Sequence, residues 1–391
     1  MTKASPPATR GQRLAARQRE HLYRARRLAR PVSATEYDVD GTRLLAFCSN
    51  DYLGLAQHPA VTAAFVAAVN RYGVGAGASH LVSGHGPEHH ALEEELADFV
   101  GAPRALLFST GYMANLGVAA ALTDRHSTCF EDKLNHASLL DAARQYGARV
   151  QRYAHGDVAR LSELLGAASG GSRLILTDGV FSMDGDVAPL PQLMHRAHTH
   201  DAELLVDDAH ALGVLGAQGR GSFEHWQIPF AAPAILMGTL GKAFGTFGAF
   251  VAGAEDLIET LIQDARTYIY TTALPPAVAA ATRASLKLIR SETALRERLR
   301  AHIERFRREV GALGLRLMES PTPIQPIVFG DAQHALAASE HLHARGIWVS
   351  AIRPPTVPAN AARLRVTLSA AHSDEQLTRL IDALASLPRL P

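Results

Sequence analysis

The 391-residue sequence has few lysines, only two cysteines and no long apolar run. Its apolar stretches, such as Ala231 to Leu240, are well short of the roughly 20 residues that cross a bilayer. Residues 1–20 carry arginines but lack the apolar segment of a secretory signal. Cys48 and Cys129 are too few for a disulfide framework, so we expect a reducing, cytoplasmic environment. The net charge of +1 gives no electrostatic reason to expect a nucleic-acid or membrane partner.

Lysine is the scarcer basic residue by a wide margin. Of 39 lysines and arginines, only four are lysines, namely Lys3, Lys133, Lys242 and Lys287. Lys242 lies in the glycine-rich segment 238–245, directly after a predicted strand, where arginine would serve if only a surface cation were needed. Burial lowers the pKa of such an amine, and the neutral amine can form an imine with an aldehyde. The alternative interpretation is an ordinary lysine in a surface turn.

Short apolar segments alternate with amphipathic segments along most of the chain. The expected strands are Ala105–Phe108, Leu174–Thr177, Glu203–Val206, Ala234–Met237, Ala249–Val251, Gln325–Phe329 and Arg363–Leu368, after a short strand or hairpin around Tyr37–Phe47. The expected helices cover about 8–29, Glu88–Val100, Leu190–His200, 277–313, 333–345 and 374–386. This alternation predicts an α/β protein in which helices flank a mostly parallel sheet. We expect an N-terminal helix with short strands over 1–49, a large catalytic domain over 50–280 and a small α/β domain over 281–391.

An acidic segment, Asp207-Asp208-Ala209-His210, follows the expected strand Glu203–Val206. A carboxylate at the carboxyl edge of a sheet can keep a pyridine nitrogen protonated, so that the ring accepts electrons. We choose Asp207 for this role, because strand alternation points Asp208 the other way. His210 would then reach the phenolic oxygen of the ring. The alternatives are a metal site or a salt bridge at the strand end.

Two polar turns supply further candidates. Residues 109–112 follow the strand Ala105–Phe108 and open a helix, where Gly111 and Tyr112 would offer N–H groups to a phosphate. Thr239 would add a hydroxyl. His136, in the turn 132–138, is suited to stack on a planar ring and to act as an acid or base. A plain helix cap accounts equally well for that second turn.

No metal site is expected from the histidine pattern. His195 and His198 share a helix face without a fitting third ligand. His85 and His89 have helical spacing, but a Gly-Pro pair between them indicates a turn. With 19 histidines in the chain, such pairs arise by chance.

Six motifs together resemble the fold type I pyridoxal-phosphate enzymes and, within them, the α-oxoamine synthases. The resemblance extends from about Leu22 to Leu387, and the motifs are SNDYLGL at 49–55, STGY at 109–112, NHAS at 135–138, GVFSMDGD at 179–186, DDAH at 207–210 and TLGK at 239–242. It implies pyridoxal 5′-phosphate as the cofactor. It also implies a reaction that joins a small amino acid to an acyl thioester, with loss of carbon dioxide and the thiol.

The resemblance implies a role for each residue at a matching position. Lys242 would carry the cofactor as an imine, Asp207 would bind the pyridine nitrogen, and His136 would stack over the ring. The further cofactor contacts implied are Ser182 beside the ring, His210 on the ring oxygen, and Gly111, Tyr112 and Thr239 near the phosphate. Thr271 and Thr272 are similar to the family's phosphate contact from a partner subunit, which implies a homodimer.

The segment Ala351–Pro358 resembles the family members that use L-alanine and a pimeloyl thioester in biotin synthesis. The acyl carrier would be coenzyme A or an acyl carrier protein. The substrate-binding residues implied are Arg365 for the amino-acid carboxylate, Arg24 and Arg353 for the acyl end, and also Asn50, His136 and Thr356. Arg24 and Arg353 as ordinary surface cations are the alternative. The rival functions are a glycine-using member of the family and a catalytically silent partner subunit. Aminolevulinate synthases lack an arginine at the position of Arg353. A silent subunit would be expected to lack Lys242.

Overall fold

The computed structural model describes residues 9–20 and 22–388, which form fourteen strands, fourteen α-helices and one π-helical turn. The strands are β1 Ala29–Pro31, β2 Glu36–Val39, β3 Thr42–Ala46, β4 Arg104–Phe108, β5 Thr128–Asp132, β6 Arg149–Tyr153, β7 Arg173–Asp178, β8 Glu203–Asp207, β9 Ala234–Thr239, β10 Ala249–Gly253, β11 Ile324–Gly330, β12 Ile347–Trp348, β13 Ser350–Ile352 and β14 Ala362–Thr367. The helices are α1 Arg10–Arg19, α2 Pro59–Tyr72, α3 Pro87–Val100, α4 Gly111–Leu122, α5 Ala137–Gln145, α6 Val158–Ala167, α7 Leu190–Thr199, α8 Ser222–His225, α9 Glu255–Asp264, α10 Arg266–Ile269, α11 Pro276–Ser291, α12 Thr293–Ala312, α13 Ala332–Ala344 and α14 Asp374–Ala385, and the π-helical turn is His80–Gly84.

The central sheet has seven strands in the order β4-β10-β9-β8-β7-β5-β6. Strand β10 is antiparallel to both of its neighbours, and the other pairs are parallel. The mostly parallel sheet predicted from the sequence is therefore confirmed. Because parallel strands end at one edge, the carboxyl ends of β5, β7, β8 and β9 lie side by side. Their register pairs Asp178 with Asp207 at this edge.

Two smaller sheets join distant parts of the chain. Of the short strand or hairpin expected around Tyr37–Phe47, the structure has the hairpin β2–β3. Strand β3 also pairs in parallel with β12, so that an N-terminal strand and a C-terminal strand share one sheet. Strands β11, β14 and β13 form the third sheet, which is antiparallel. The domain boundaries expected after residues 49 and 280 stay predictions. The later boundary falls inside helix α11.

Two helix predictions are wrong in extent. The N-terminal helix expected over about 8–29 is α1, which ends at Arg19; residues 22–28 are not helical, and residues 8 and 21 lie outside the described residues. None of the residues of α1 is buried, so no packing extends this helix. The helical region expected over 277–313 is broken at Glu292, whose φ of −103° and ψ of 72° separate α11 from α12.

The central sheet is buried on both faces. Along β8, Leu204 and Val206 pack into one hydrophobic cluster and Leu205 packs into the other, as strand alternation requires. Such burial explains why these strands read as continuous apolar runs. Among the residues described, no helix is both long and apolar enough to cross a membrane.

Candidate active site

Lys242 lies in the turn that follows β9, and its Nζ is 3.0 Å from Nε2 of His210. Burial lowers the pKa of Lys242 to about 8, although the carboxylates of Asp207 and Asp178 partly oppose this shift. An amine with this pKa is neutral in roughly a tenth of molecules at pH 7, far more than an ordinary lysine, and the neutral form is the nucleophile. Gly245 keeps the turn compact, because a Cβ at its φ of +66° would lie 2.3 Å from the backbone nitrogen of Ala56.

Asp207 ends strand β8 and is buried beside this amine. Its Oδ2 accepts a hydrogen bond of 2.8 Å from Nδ2 of Asn115, and its Oδ1 accepts one of 3.1 Å from the N–H of Ala209. Asp208 instead accepts a hydrogen bond from the N–H of Ser222. The opposite orientation expected for the two carboxylates is therefore present, and Asp207 is the one that shares a site with Lys242.

Asp178, which the sequence analysis did not select, ends the neighbouring strand β7. Its Oδ2 accepts a 2.6 Å hydrogen bond from the N–H of His136. Burial and the nearby charge of Asp207 hold the pKa of Asp178 well above its ordinary value. Asp178 thus fixes the backbone that carries His136. Its position directly after the expected strand Leu174–Thr177 was the available signal.

His136 is an exposed residue that forms the N-cap of helix α5, and its ring is hydrogen-bonded through Nδ1. Its Nδ1 is 2.7 Å from Oγ of Ser138, and that hydroxyl accepts a hydrogen bond of 2.8 Å from Asn115. Asn115 is fully buried on α4 and donates to Asp207 as well. This asparagine, also missed from the sequence, links the predicted ring-stacking residue to the predicted ring-nitrogen partner.

Arg365 on β14 reaches the same edge of the central sheet. Its Nε donates a 2.7 Å hydrogen bond to the backbone oxygen of Ser182. Ser182 therefore contributes its backbone carbonyl to this contact. Its Nη1 donates a 3.2 Å hydrogen bond to Oδ1 of Asn50. The neighbouring Arg363 is instead ion-paired with Asp184. Arg365 is therefore the arginine of this strand that faces the candidate site.

Tyr52 connects Arg365 to the lysine through a series of hydrogen bonds. Its hydroxyl donates to Oδ1 of Asn50 at 3.2 Å and lies 2.6 Å from Nδ1 of His210. Tyr52 is fully buried, and no role was predicted for it from the sequence. The series runs from Arg365 through Asn50, Tyr52 and His210 to Lys242.

The N-terminus of α4 lies at the end of β4 and offers donors for an anion. Thr110 caps the helix by accepting a 3.2 Å hydrogen bond from the N–H of Met113. The first N–H groups of a helix have no partner within the helix, so those of Gly111 and Tyr112 are available. The Tyr112 hydroxyl is hydrogen-bonded to Asp141. Thr239 donates to the backbone oxygen of Gly248 at 3.1 Å.

Of the residues predicted for the acyl end, Arg24 is exposed and Arg353 is half-buried. Nη2 of Arg24 donates a 3.2 Å hydrogen bond to Oγ1 of Thr356, and both residues are exposed. Arg353 lines a cavity of about 460 Å³ together with Ala25. The structure thus brings Arg24 and Arg353, the two residues predicted for the acyl end, close to Thr356, whose N–H donates to the backbone oxygen of Arg353 at 3.1 Å.

Thr271 and Thr272, which are predicted to contact the phosphate of a partner subunit, lie apart from the residues described above. Thr272 forms an isolated bridge with Ser79, and the N–H of Ala273 donates to the backbone oxygen of Ala78. In the described part of the chain, no hydrogen bond joins Thr271 or Thr272 to Lys242. The prediction that they act on a partner subunit's site stays a prediction.

His155 ties together the two loops that carry His136 and Ser182. Its Nδ1 is 3.1 Å from Asp132 at the end of β5, and its Nε2 is 2.8 Å from Asp186 in the loop after β7. Desolvation lowers the pKa of His155, but its hydrogen bonds to Asp132 and Asp186 raise it overall to about 10. The imidazolium therefore connects two carboxylates at neutral pH.

We expect replacement of His155 by Gln to destabilise the protein in a pH-dependent manner. The pKa of His155 is about 10 in the folded protein and about 6.5 when unfolded, so its stabilising contribution is complete below about pH 6.5 and is lost as pH rises through about 10. The melting temperatures of wild type and His155→Gln should therefore differ at about pH 6 and converge near pH 10. His198→Gln, at an exposed position on α7, is the control. A pH-independent difference would contradict the charge assignment.

These residues are compatible with an aromatic aldehyde that carries a phosphate. An amine with a lowered pKa, a buried carboxylate and a helix N-terminus are present at one edge of one sheet. They suit an aldehyde carbon, a protonated ring nitrogen and a phosphate, respectively. The buried Oδ1 of Asn115 also has no hydrogen-bond partner among the described residues, which is expected where a polar ligand approaches.

Comparison with known proteins gives consistent results. Residues 42–384 match the family model described as aminotransferase class I and II. The 8-amino-7-oxononanoate synthase of Methylococcus capsulatus is 60% identical over 363 residues, which cover 93% of this chain and 94% of that protein. A serine palmitoyltransferase from S. paucimobilis, solved with a bound PLP–myriocin aldimine, has a TM-score of 0.89 and 31% identity and covers 92% of each chain. The 8-amino-7-oxononanoate synthase of Francisella tularensis has a TM-score of 0.75 and 34% identity, with 88% of this chain and 97% of that chain covered.

Proposed function

The chain belongs to the aminotransferase class I and II family and, within it, to the 8-amino-7-oxononanoate synthases, and on that premise we propose that it condenses L-alanine with a pimeloyl thioester. The products would be 8-amino-7-oxononanoate, carbon dioxide and the free thiol, in biotin biosynthesis. The enzyme is a pyridoxal-phosphate-dependent acyltransferase. The observation that carries the proposal is the joint placement of Lys242, Asp207 and Arg365 at one edge of the central sheet.

We propose that Lys242, Asp207 and His136 are the catalytic residues. When bound, pyridoxal phosphate supplies the aldehyde for the Lys242 amine and the electron sink for bonds broken at the amino-acid α carbon. Nζ of Lys242, with a pKa of about 8, is suited both to accept the α proton and to return one. Asp207 would hold a proton on the ring nitrogen, and Asn115 keeps this carboxylate in place. His210 would contact the ring oxygen, and Gly111, Tyr112 and Thr239 would hold the phosphate.

Arg365 is the proposed site for the carboxylate of alanine. Its bonds to Ser182 and Asn50 occupy two of the five guanidinium donors and orient the remainder. A guanidinium of fixed orientation suits bidentate binding of a carboxylate. His136 would hydrogen-bond this carboxylate or the new ketone.

Arg24, Arg353 and Thr356 are the proposed contacts for the far end of the acyl chain. The hydrogen bond between Arg24 and Thr356 brings the N-terminal segment against the segment that resembles the alanine-using enzymes. A pimeloyl group ends in a carboxylate or its ester, for which an arginine is a suitable partner. The acyl carrier would be coenzyme A or an acyl carrier protein.

We further propose a homodimer in which Thr271 and Thr272 contact the phosphate bound by the partner subunit. The bridge between Ser79 and Thr272 positions this segment. A cytoplasmic location agrees with two cysteines, Cys48 and Cys129, that are both free thiols.

A substrate comparison tests the proposed function. We expect pimeloyl thioester with L-alanine to release thiol faster than acetyl or succinyl thioester with glycine. A charge-assisted hydrogen bond to a terminal carboxylate that only the longer pimeloyl chain can place would contribute about 1.5–3 kcal/mol, or roughly 10- to 150-fold in rate. Thiol release is measured with each pair at equal concentrations. A preference for a glycine pair would instead assign the chain to the glycine-using members of the family.

A further inference from the structure

The start of helix α3 carries a cluster of histidines that the proposed reaction does not use. His85 precedes the helix, and His90 and Glu93 follow on its first turns. One ligand atom from each of these three side chains lies within 4.8 Å of the other two. The Gly-Pro pair after His85, which argued against a continuous helix in the sequence, is the turn that folds His85 back onto the helix.

We propose that His85, His90 and Glu93 bind a divalent first-row transition ion of the zinc class. His90 and Glu93 are three residues apart on one helix and therefore share a face. Two imidazoles with one carboxylate are a ligand set typical of zinc, with a fourth position left open for water. Nε2 of His85 and Oε2 of Glu93 are 3.9 Å apart, and a tetrahedral ion requires about 3.4 Å between ligand atoms. Small side-chain rotations close this difference.

Neighbouring groups orient two of the three ligands. Nδ1 of His85 is 3.0 Å from Nδ1 of His80, so one of these nitrogens donates and the other accepts. When His85 is the donor, its Nε2 carries the lone pair that a metal needs, and this nitrogen faces Glu93. Glu93 uses Oε1 to accept a 2.9 Å hydrogen bond from the N–H of Leu107, which leaves Oε2 directed at His85. Such support distinguishes the cluster from a chance pair of surface histidines.

The local charges are compatible with a cation. Glu94 adds a second carboxylate, with Oε1 at 3.5 Å from Nε2 of His90. Arg104 lines the same cavity of about 310 Å³, but it is ion-paired with Glu259 at 2.8 Å. His90 is exposed and is free to turn towards an ion without disturbing the core.

The proposal is tested on the holoenzyme after chelator treatment, by equilibrium dialysis against Zn²⁺ and Co²⁺ with metal analysis. Because the cofactor phosphate also attracts cations, the readout is the difference between wild type and variants. We expect His90→Gln and Glu93→Gln each to weaken binding of one equivalent per chain by at least about tenfold. Glu93→Gln retains an oxygen for the N–H of Leu107, and His90→Gln changes an exposed side chain, so both should fold.

His195→Gln is the matched control, because it removes an exposed imidazole from a helix that lacks this ligand set. It should bind the ion as wild type does. Bound ion should also raise the melting temperature of wild type, and this rise should increase with the logarithm of the ion concentration. The rise should be lost in His90→Gln. Equal binding by wild type, His90→Gln and Glu93→Gln would overturn the proposal, and so would a wild type that binds no specific equivalent.

Discussion

Replacement of Lys242 by Ala is expected to lower product formation by at least about 10³-fold. The substitution removes both the amine that carries the cofactor and the group that moves the α proton, and proton transfer by a positioned side chain alone contributes about 10²–10⁴-fold. The variant should also lose the visible absorption of the imine. Steady-state assays and absorption spectra of the purified variant measure both effects.

Lys287→Ala is the matched control for this experiment. Lys287 lies on α11 with an exposed side chain, and the chain has only four lysines in all. The control should retain activity, absorption and covalent trapping by borohydride. Trapping of the cofactor by Lys242→Ala at the wild-type level would show that another amine forms the imine.

Replacement of Asp207 by Asn is expected to retain some cofactor but to slow exchange of the α proton of L-alanine by at least about 10²-fold. A neutral amide cannot keep the ring nitrogen protonated, and the loss of one preorganised electrostatic partner costs about 10²–10³-fold. The Asn side chain still fits beside Asn115, so the site should stay folded. Exchange in deuterated water, followed by NMR, isolates this step from acyl transfer.

Asp208→Asn provides the comparison for Asp207→Asn. The two carboxylates are adjacent in sequence, but Asp208 faces away and accepts a hydrogen bond from the N–H of Ser222. Burial raises the pKa of Asp208 to about 7, so a neutral side chain at this position is a modest change. Proton exchange should therefore persist in Asp208→Asn. Wild-type exchange in Asp207→Asn would refute the assigned role.

The apolar strands of the central sheet were predictable because both faces of the sheet are buried. Strands β4, β7, β8, β9 and β10 were all expected within one or two residues of their observed ends. Strands β5 and β6 were missed. The first ends in Glu131 and Asp132, which are both buried, and the second is an edge strand with Arg149 and Arg152. Buried acids and an edge position remove the apolar pattern on which the prediction depends.

The residues that carry chemistry at strand ends were predictable, but those that hold them were not. Lys242 and Asp207 follow apolar segments in a way that local reasoning detects. Asn115 contacts Asp207 from 92 positions away, and Tyr52 contacts His210 from 158 positions away. Asn115 has no local pattern that distinguishes it from an ordinary buried polar residue, and the motif at 49–55 that contains Tyr52 does not show which side chain its hydroxyl contacts. Their role becomes visible only in the folded structure, where Asn115 positions Asp207 and Tyr52 positions His210.

The assignment of Lys242 as the imine-forming residue is tested most directly by finding which amine of the wild-type holoenzyme holds the cofactor. The protein is reduced with borohydride, digested and analysed by mass spectrometry for the peptide that bears the pyridoxyl group. We expect the label on the peptide that contains Lys242, because burial lowers the pKa of this amine to about 8. A label on Lys133 or Lys287, or a protein that retains no reduced cofactor, would contradict it.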